Sequence, residues 1–194
     1  DYNPDSVVHY ANLAMTTNAD NTTYTWSNDM GTGTYSYYSP FRGNVGTLRQ
    51  SRYVAELMSG LNTTFAGVAD PRGYYIIREN PAGEFKGIRP NKGADGLSAT
   101  TGPANFWGGT FTSTAATSTD ANSRYIFINA PKWPIITASE MQFVKAEALY
   151  RKGDKAGALT AYTNGINLNF DQLVTDYQTN VPAANHITPT SRAA

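Results

Sequence analysis

Five aromatic residues crowd one polar stretch: Tyr24, Trp26, Tyr35, Tyr37 and Tyr38 fall within fifteen residues, beside Asn28, Asp29 and Arg42. A sugar presents C–H faces that stack on rings, and hydroxyls that pair with amides, carboxylates or guanidinium groups. This stretch offers both kinds of partner. A second such place is Asn105-Phe106-Trp107, set between glycine-rich flanks. The candidate ligand contacts are therefore Trp26, Tyr35, Tyr37, Tyr38 and Trp107 for stacking, with Asn28, Asp29, Arg42 and Asn105 for polar contacts. Taken singly, each tyrosine reads instead as a ring that plugs its loop onto the core, because tyrosine is commonly part-buried. The ligand reading rests on the set.

Residues suited to catalysis are thinly placed. The only histidines, His9 and His186, lie at opposite ends of the chain and in no metal-binding spacing. The sequence has neither a G-x-S-x-G elbow nor a phosphate-cradling Walker loop. Asp29, Glu56, Asp70 and Glu84 are carboxylates, but nothing in their spacing pairs two of them across a glycosidic bond. Cysteine is absent, which excludes disulfides, thiolate metal sites, iron–sulfur clusters and a thiol nucleophile. The expectation is binding without catalysis, with no metal or other cofactor. Asp70-Pro71-Arg72 reads as a turn in which Asp70 accepts local amides and Arg72 pairs with a carboxylate. Asp120-Ala121-Asn122 lacks the glycine and distal glutamate of a calcium loop and reads as solvated loop. Trp133 reads as a packing residue.

Charge narrows the partners. The 194 residues carry 15 Lys plus Arg and 15 Asp plus Glu, a net charge of zero. That balance argues against nucleic acid and against a polybasic membrane surface. The 15% charged share is low beside the usual ~25%, and threonine, asparagine and glycine fill the polar positions. Such a surface suits sugars or peptides better than phosphates. No apolar run approaches the ~18 residues of a membrane-spanning helix, and no basic-apolar-small leader opens the chain.

The elements that must hold these residues are mostly helical. Thr137-Ala138-Ser139-Glu140 is a capping box ahead of an apolar pattern, with Met141, Phe143, Val144, Ala148 and Leu149 as the buried face. Gly153 ends that helix and Asp154 caps the next, whose face is Ala158, Leu159, Tyr162 and Ile166. Small Ala146 and Ala158 allow close antiparallel approach near the turn. The pair, over 137–168, has the pattern of a tetratricopeptide repeat, a unit that needs neighbours to bury its face. A further helix is expected over 47–58, on Leu48, Tyr53, Leu57 and Met58, closed by Gly60. GYYII and RYIFI are expected to be short strands, and the tail from Val181 a loop.

Trp133-Pro134-Ile135-Ile136-Thr137-Ala138-Ser139-Glu140-Met141-Gln142-Phe143 with Ala146-Glu147-Ala148, followed by Ala158 to Tyr162 and Gly165-Ile166, resembles the helix pair of SusD/RagB-like proteins. Upstream, Ser39-Pro40-Phe41-Arg42-Gly43-Asn44, Leu48-Arg49, Leu57-Met58, Ala69-Asp70-Pro71-Arg72 and Lys86-Gly87-Ile88 fit the same family. The resemblance covers about residues 24–170. It implies a mainly α fold of tetratricopeptide-like helix pairs with long loops and a few short strands, as one SusD-like domain over 1–194. It also implies a non-catalytic, surface-exposed outer-membrane lipoprotein of Bacteroidetes that binds glycan or peptide and works with a SusC-like TonB-dependent transporter. Members begin with a signal peptide and a lipidated cysteine and are longer, so the chain is expected to be partial, its lipid anchor lying outside it. The alternative is a scaffold of the same transporter complex without direct sugar binding.

Overall fold

The computed structural model describes residues 2–27, 36–38, 48–93, 96–109 and 123–193. Among these, helices dominate: α1 (Pro4–Leu13), α2 (Arg52–Met58), α3 (Gly73–Ile76), α4 (Ala138–Arg151), α5 (Lys155–Tyr177) and α6 (Pro189–Ala193). Strands β1 (Thr22–Thr25) and β2 (Lys132–Ile136) form a two-stranded antiparallel sheet. This is the mainly α class expected. None of the described helices is long and apolar enough to cross a membrane. The chain divides into two compact units, Asp1–Tyr24 with Lys132–Asp176, and Thr25–Pro131 with Tyr177–Ala194.

The first unit is built on caps and small residues. Asn3 starts α1 by accepting from the amides of Asp5 at 3.0 Å and Ser6 at 3.2 Å, with Pro4 at the first helical position. Thr137 and Glu140 form the reciprocal box: Glu140 N–H donates to Thr137 Oγ1 at 3.2 Å, and Thr137 N–H donates to Glu140 Oε2 at 2.8 Å. Gly153, at φ +87°, takes the left-handed conformation that ends α4. Asp154 then accepts from Gly157 N–H at 2.9 Å and opens α5. The two helices run back along each other. Ser139, at the start of α4, donates to Gly165 O at 2.7 Å, and the Phe143 and Tyr162 rings lie 5.5 Å apart nearer the turn. A Cβ on Gly165 would stand 2.9 Å from the Phe143 ring, so glycine there sets how closely the helices meet. α1 packs against α4, and Lys152 pairs with Asp5.

The buried face of this pair differs from the one expected. Ala148 and Ala158 are buried as expected, but Phe143, Val144, Leu159 and Tyr162 are exposed. Ala138, Ala146 and Ala161 join the two buried alanines in the interior, with Phe170 and Leu173 further along α5. Small side chains let the elements approach closely, and this turns the bulky residues outward.

Among its described residues the second unit has little regular structure, and buried amides take the place of ladders. Gln50 Nε2 donates to Arg78 O at 2.8 Å and Lys86 O at 2.6 Å, while its Oε1 accepts from Arg78 N–H at 3.0 Å. Asn80 Oδ1 accepts from Ala82 and Glu84 amides, and its Nδ2 donates to Thr100 O. Each amide closes loop backbone groups that would otherwise be buried without partners. The helix expected over 47–58 begins only at Arg52, capped by Ser51, because Arg49 and Ser51 are extended and bridge to Asn105 and Ile88; Thr47 lies outside the described residues. Gly87 passes so close to this start that a Cβ would collide with the Ser51 carbonyl and the Arg52 amide. Neither expected strand forms. GYYII begins with one helical turn, α3, wound on from the Asp70-Pro71-Arg72 turn, where Gly73 N–H donates to Asp70 O and Tyr75 N–H to Arg72 O. RYIFI contains a 3-10 turn over Tyr125–Phe127, with Tyr125 at φ +47° breaking the extended run. The strands that do form, β1 and β2, were not expected. The tail is more than loop: Val181 and Ile187 are buried, Tyr75 OH accepts from Ile187 N–H at 3.1 Å, and α6 follows.

Candidate ligand-binding surface

The site starts from one buried amide. Asn105 Oδ1 accepts from Trp107 N–H at 3.0 Å and Gly109 N–H at 2.8 Å, and Asn105 N–H donates to Gly109 O at 3.0 Å. Gly108, at φ +93°, completes the tight wrap. The loop so formed turns Trp107 fully inward, where its Nε1–H donates to Tyr38 O at 2.9 Å. That bond joins segments 69 residues apart, the aromatic polar stretch and the Asn105–Trp107 stretch.

Rings then continue outward from Trp107. Phe127 lies edge-on to it at 5.4 Å and stacks on Phe106 at 3.9 Å with 4° between the planes. Tyr38 packs against Phe127 at 5.4 Å, and Tyr37 against Tyr38 at 5.2 Å, both T-shaped. Tyr38, Phe106 and Phe127 are half-buried, while Tyr37 is 54% exposed. The cluster is thus graded: an indole sealed at the base, three rings in the wall and a phenol at the surface. T-shaped and stacked pairs add about 0.5–1.5 kcal/mol each beyond burial, which fixes the outer rings in place.

The Phe127 turn is tethered by Arg124. Its Nε–H donates to Tyr74 O at 3.1 Å, and its Nη2 lies 3.8 Å from Glu79 Oε1. Burial, then the charge of neighbouring Arg78, pushes its pKa down to about 10, so it remains a cation at neutral pH. Asp70-Pro71-Arg72 closes on itself as the sequence suggests. Arg72 N–H donates to Asp70 Oδ1 at 2.9 Å, and the guanidinium meets the same carboxylate at 2.6 Å.

Of the residues singled out from sequence, the structure brings together Tyr37, Tyr38, Asn105 and Trp107. Asn105 and Trp107 are fully buried and engaged within the fold, so they support the surface from beneath. Trp26 is half-buried just after β1, its backbone N–H donating to Pro131 O at 3.4 Å. Asn28, Asp29, Tyr35 and Arg42, with Asp120 to Asn122, lie outside the described residues. Phe106 and Phe127 were missed as members. Phe106 carried a signal, being flanked by two chosen residues; Phe127 was hidden in an apparent strand.

Two further concavities accompany this surface. A cleft of about 610 Å³ in the second unit is lined by Phe85 and Leu97 together with two ion pairs, Arg52–Glu56 and Lys86–Glu84. A groove of about 630 Å³ on the α4–α5 pair is lined by Phe143, Tyr150, Leu159 and Tyr162, flanked by Glu147 and Lys155.

Comparison with curated proteins and with solved structures returns no match. A SusD-like family model, described as starch-binding and associating with the outer membrane, matches residues 5–189. That span takes in both units, the capped helix pair and the aromatic surface alike, and the chain belongs to this SusD-like family.

Proposed function

We propose that the protein is a non-catalytic glycan-binding component of a TonB-dependent outer-membrane uptake system, held at the cell surface as a lipoprotein. The observation that carries the reading is the graded ring cluster ending in exposed Tyr37, in a chain whose family is described as starch-binding. A sugar ring stacks on Tyr37 and the outer edge of Tyr38, while Trp107 and Asn105 hold those rings in position. Trp26, Asn28, Asp29, Tyr35 and Arg42, from the same stretch of sequence, supply the remaining contacts. The ligand is bound by stacking and hydrogen bonds, and no bond in it is broken.

Calorimetric titration with a linear starch oligosaccharide tests this. Tyr37→Ala is expected to weaken binding by about tenfold, in keeping with ~1.4 kcal/mol for one ring contact. Equal affinity in Tyr37→Ala and in Tyr38→Ala would remove the surface from the site. Failure of the unaltered protein to bind any of a panel of neutral glycans would remove the function.

One observation favours a docking role as a second reading. The α4–α5 groove exposes Phe143, Leu159 and Tyr162 on a helix pair of the kind that buries its face against neighbours. Here the SusC-like transporter is the partner. Co-purification with the transporter that survives Tyr37→Ala but is lost in Leu159→Glu would support docking through this face.

A further inference from the structure

The cleft of about 610 Å³ in the second unit carries more positive charge than its own carboxylates use. Among the described residues, Arg52, Lys86, Arg89 and Lys92 line it, against Glu56 and Glu84. Each carboxylate already has its cation. Arg52 pairs with Glu56, and Lys86 Nζ lies 3.4 Å from Glu84 Oε2. Arg89 and Lys92 are left over. Both are exposed, and neither side chain meets an acceptor among the described residues.

A turn holds these two cations together. Lys92 N–H donates to Arg89 O at 3.2 Å, with Pro90 in the second position and Asn91 in the third at φ +63°. This is the pattern of a type II β-turn, whose outer residues stand with their Cα atoms within about 7 Å. Ile88, joined through its backbone to Arg52 and Gln50, fixes where the turn begins. Like charges at such spacing repel, and an anion seated between them relieves the repulsion.

The rest of the lining limits what else that anion carries. Leu61, Phe85 and Leu97 are apolar, and the Phe85 ring is braced by Tyr74 at 4.8 Å between centroids. Among the described residues no side-chain amide lines the cleft. Thr101 is the one neutral hydroxyl there, and it is engaged, accepting from Ser98 N–H at 3.1 Å. A neutral sugar would find few partners for its hydroxyls here. A guanidinium fork beside an ammonium suits a planar carboxylate, and the apolar side chains suit a body without hydroxyls.

We propose that this cleft binds a small amphipathic carboxylate, its anionic end between Arg89 and Lys92 and its apolar body against Leu61, Phe85 and Leu97. The site shares neither ligand class nor residues with the aromatic surface, so either can fail alone.

The test follows the backbone amide resonances of Gly93, Gly96 and Leu97 in the isotope-labelled full chain during titration with 4-phenylbutyrate. Saturable shifts are expected, weakening as salt is added because the two cations are exposed. Binding should fall at least tenfold when Arg89→Gln and Lys92→Gln are combined. It should be unchanged in Tyr37→Ala and in Lys145→Gln, which removes one charge from the other unit. Two further probes need no variant. 4-Phenylbutyramide keeps the shape without the charge, acetate keeps the charge without the apolar body, and each is expected to bind at least tenfold more weakly. Either probe matching 4-phenylbutyrate would overturn the proposal, as would resonances that stay in place up to its solubility limit. Shifts from glucuronate but not from 4-phenylbutyrate would overturn it in favour of an acidic sugar, and a tenfold preference for phenyl phosphate in favour of a phosphate ester.

Discussion

The two units keep their order by different means. In the first, α4 and α5 satisfy backbone groups within themselves, and side chains decide mainly how closely helices meet, as at Gly165 under Phe143. In the second, loops hold shape because Gln50, Asn80 and Asn105 each close several main-chain groups, those of Gln50 lying 28 and 36 residues away. Stability is therefore spread along the helices of one unit and concentrated in a few amides of the other. The aromatic surface sits on the concentrated kind, which gives irregular chain a defined ring arrangement.

The largest expected effect tests that concentration. Gln50→Leu fills the same space but strands the Arg78 amide and the carbonyls of Arg78 and Lys86. At about 1–3 kcal/mol per stranded group, the loss is ~3 kcal/mol or more, a fall in melting temperature of about 6–12 °C by calorimetry. Removal of the α4 cap by Thr137→Ala is expected to cost only about 1 kcal/mol, because only the two bonds of the Thr137 hydroxyl, from Glu140 N–H and to Glu140 Oε2, are lost at a helix end. Equal losses from the two variants would erase the distinction between the units.

The smallest effect sharpens it. Burial alone would raise the Asp70 carboxyl, but the Arg72 hydrogen bonds and charge more than offset this and hold it below the usual carboxylate range. A carboxyl lowered by folding adds stability that is present above its unfolded value of about 3.9 and is lost as pH falls through the folded value. Asp70→Asn should therefore lower stability by under about 1 kcal/mol at neutral pH, with the gap closing as the medium becomes more acidic than the folded pKa. Denaturant midpoints measured from pH 7 down to about 3 check this. A gap that widened on acidification would contradict the turn as described.

What could be read in the sequence follows the same division. The capping box, the Gly153 stop and the Asp154 cap involve partners three or four residues apart, and all were legible. The direction of Phe143 and Tyr162 was not, because helical spacing marks a face without saying whether alanines or aromatics win the interior. In the second unit the deciding bonds span 28 to 69 residues, between Gln50 and Arg78 or Trp107 and Tyr38. No local pattern announces such partners. Aromatic crowding was visible in composition, and Tyr37, Tyr38, Asn105 and Trp107 do lie together, but Asn105 and Trp107 are buried and not open to a ligand as expected. Their convergence on Phe127 needed the fold, since a 3-10 turn with Tyr125 at positive φ reads locally as a strand.

Gly87 carries the last consequence. Two lengths of chain cross there with no room for a single added carbon, and Arg52 N–H to Ile88 O at 2.8 Å and Ile88 N–H to Gln50 O at 3.0 Å fasten the crossing on either side. Such a junction behaves as a rivet. The stretch beyond it, including Arg89, Lys92 and Leu97 on the rim of the 610 Å³ cleft, is free to change length or wording without shifting the anchorage. Relatives with altered rims should therefore keep glycine at this position, and a rim exchanged between two of them should graft without loss of melting temperature.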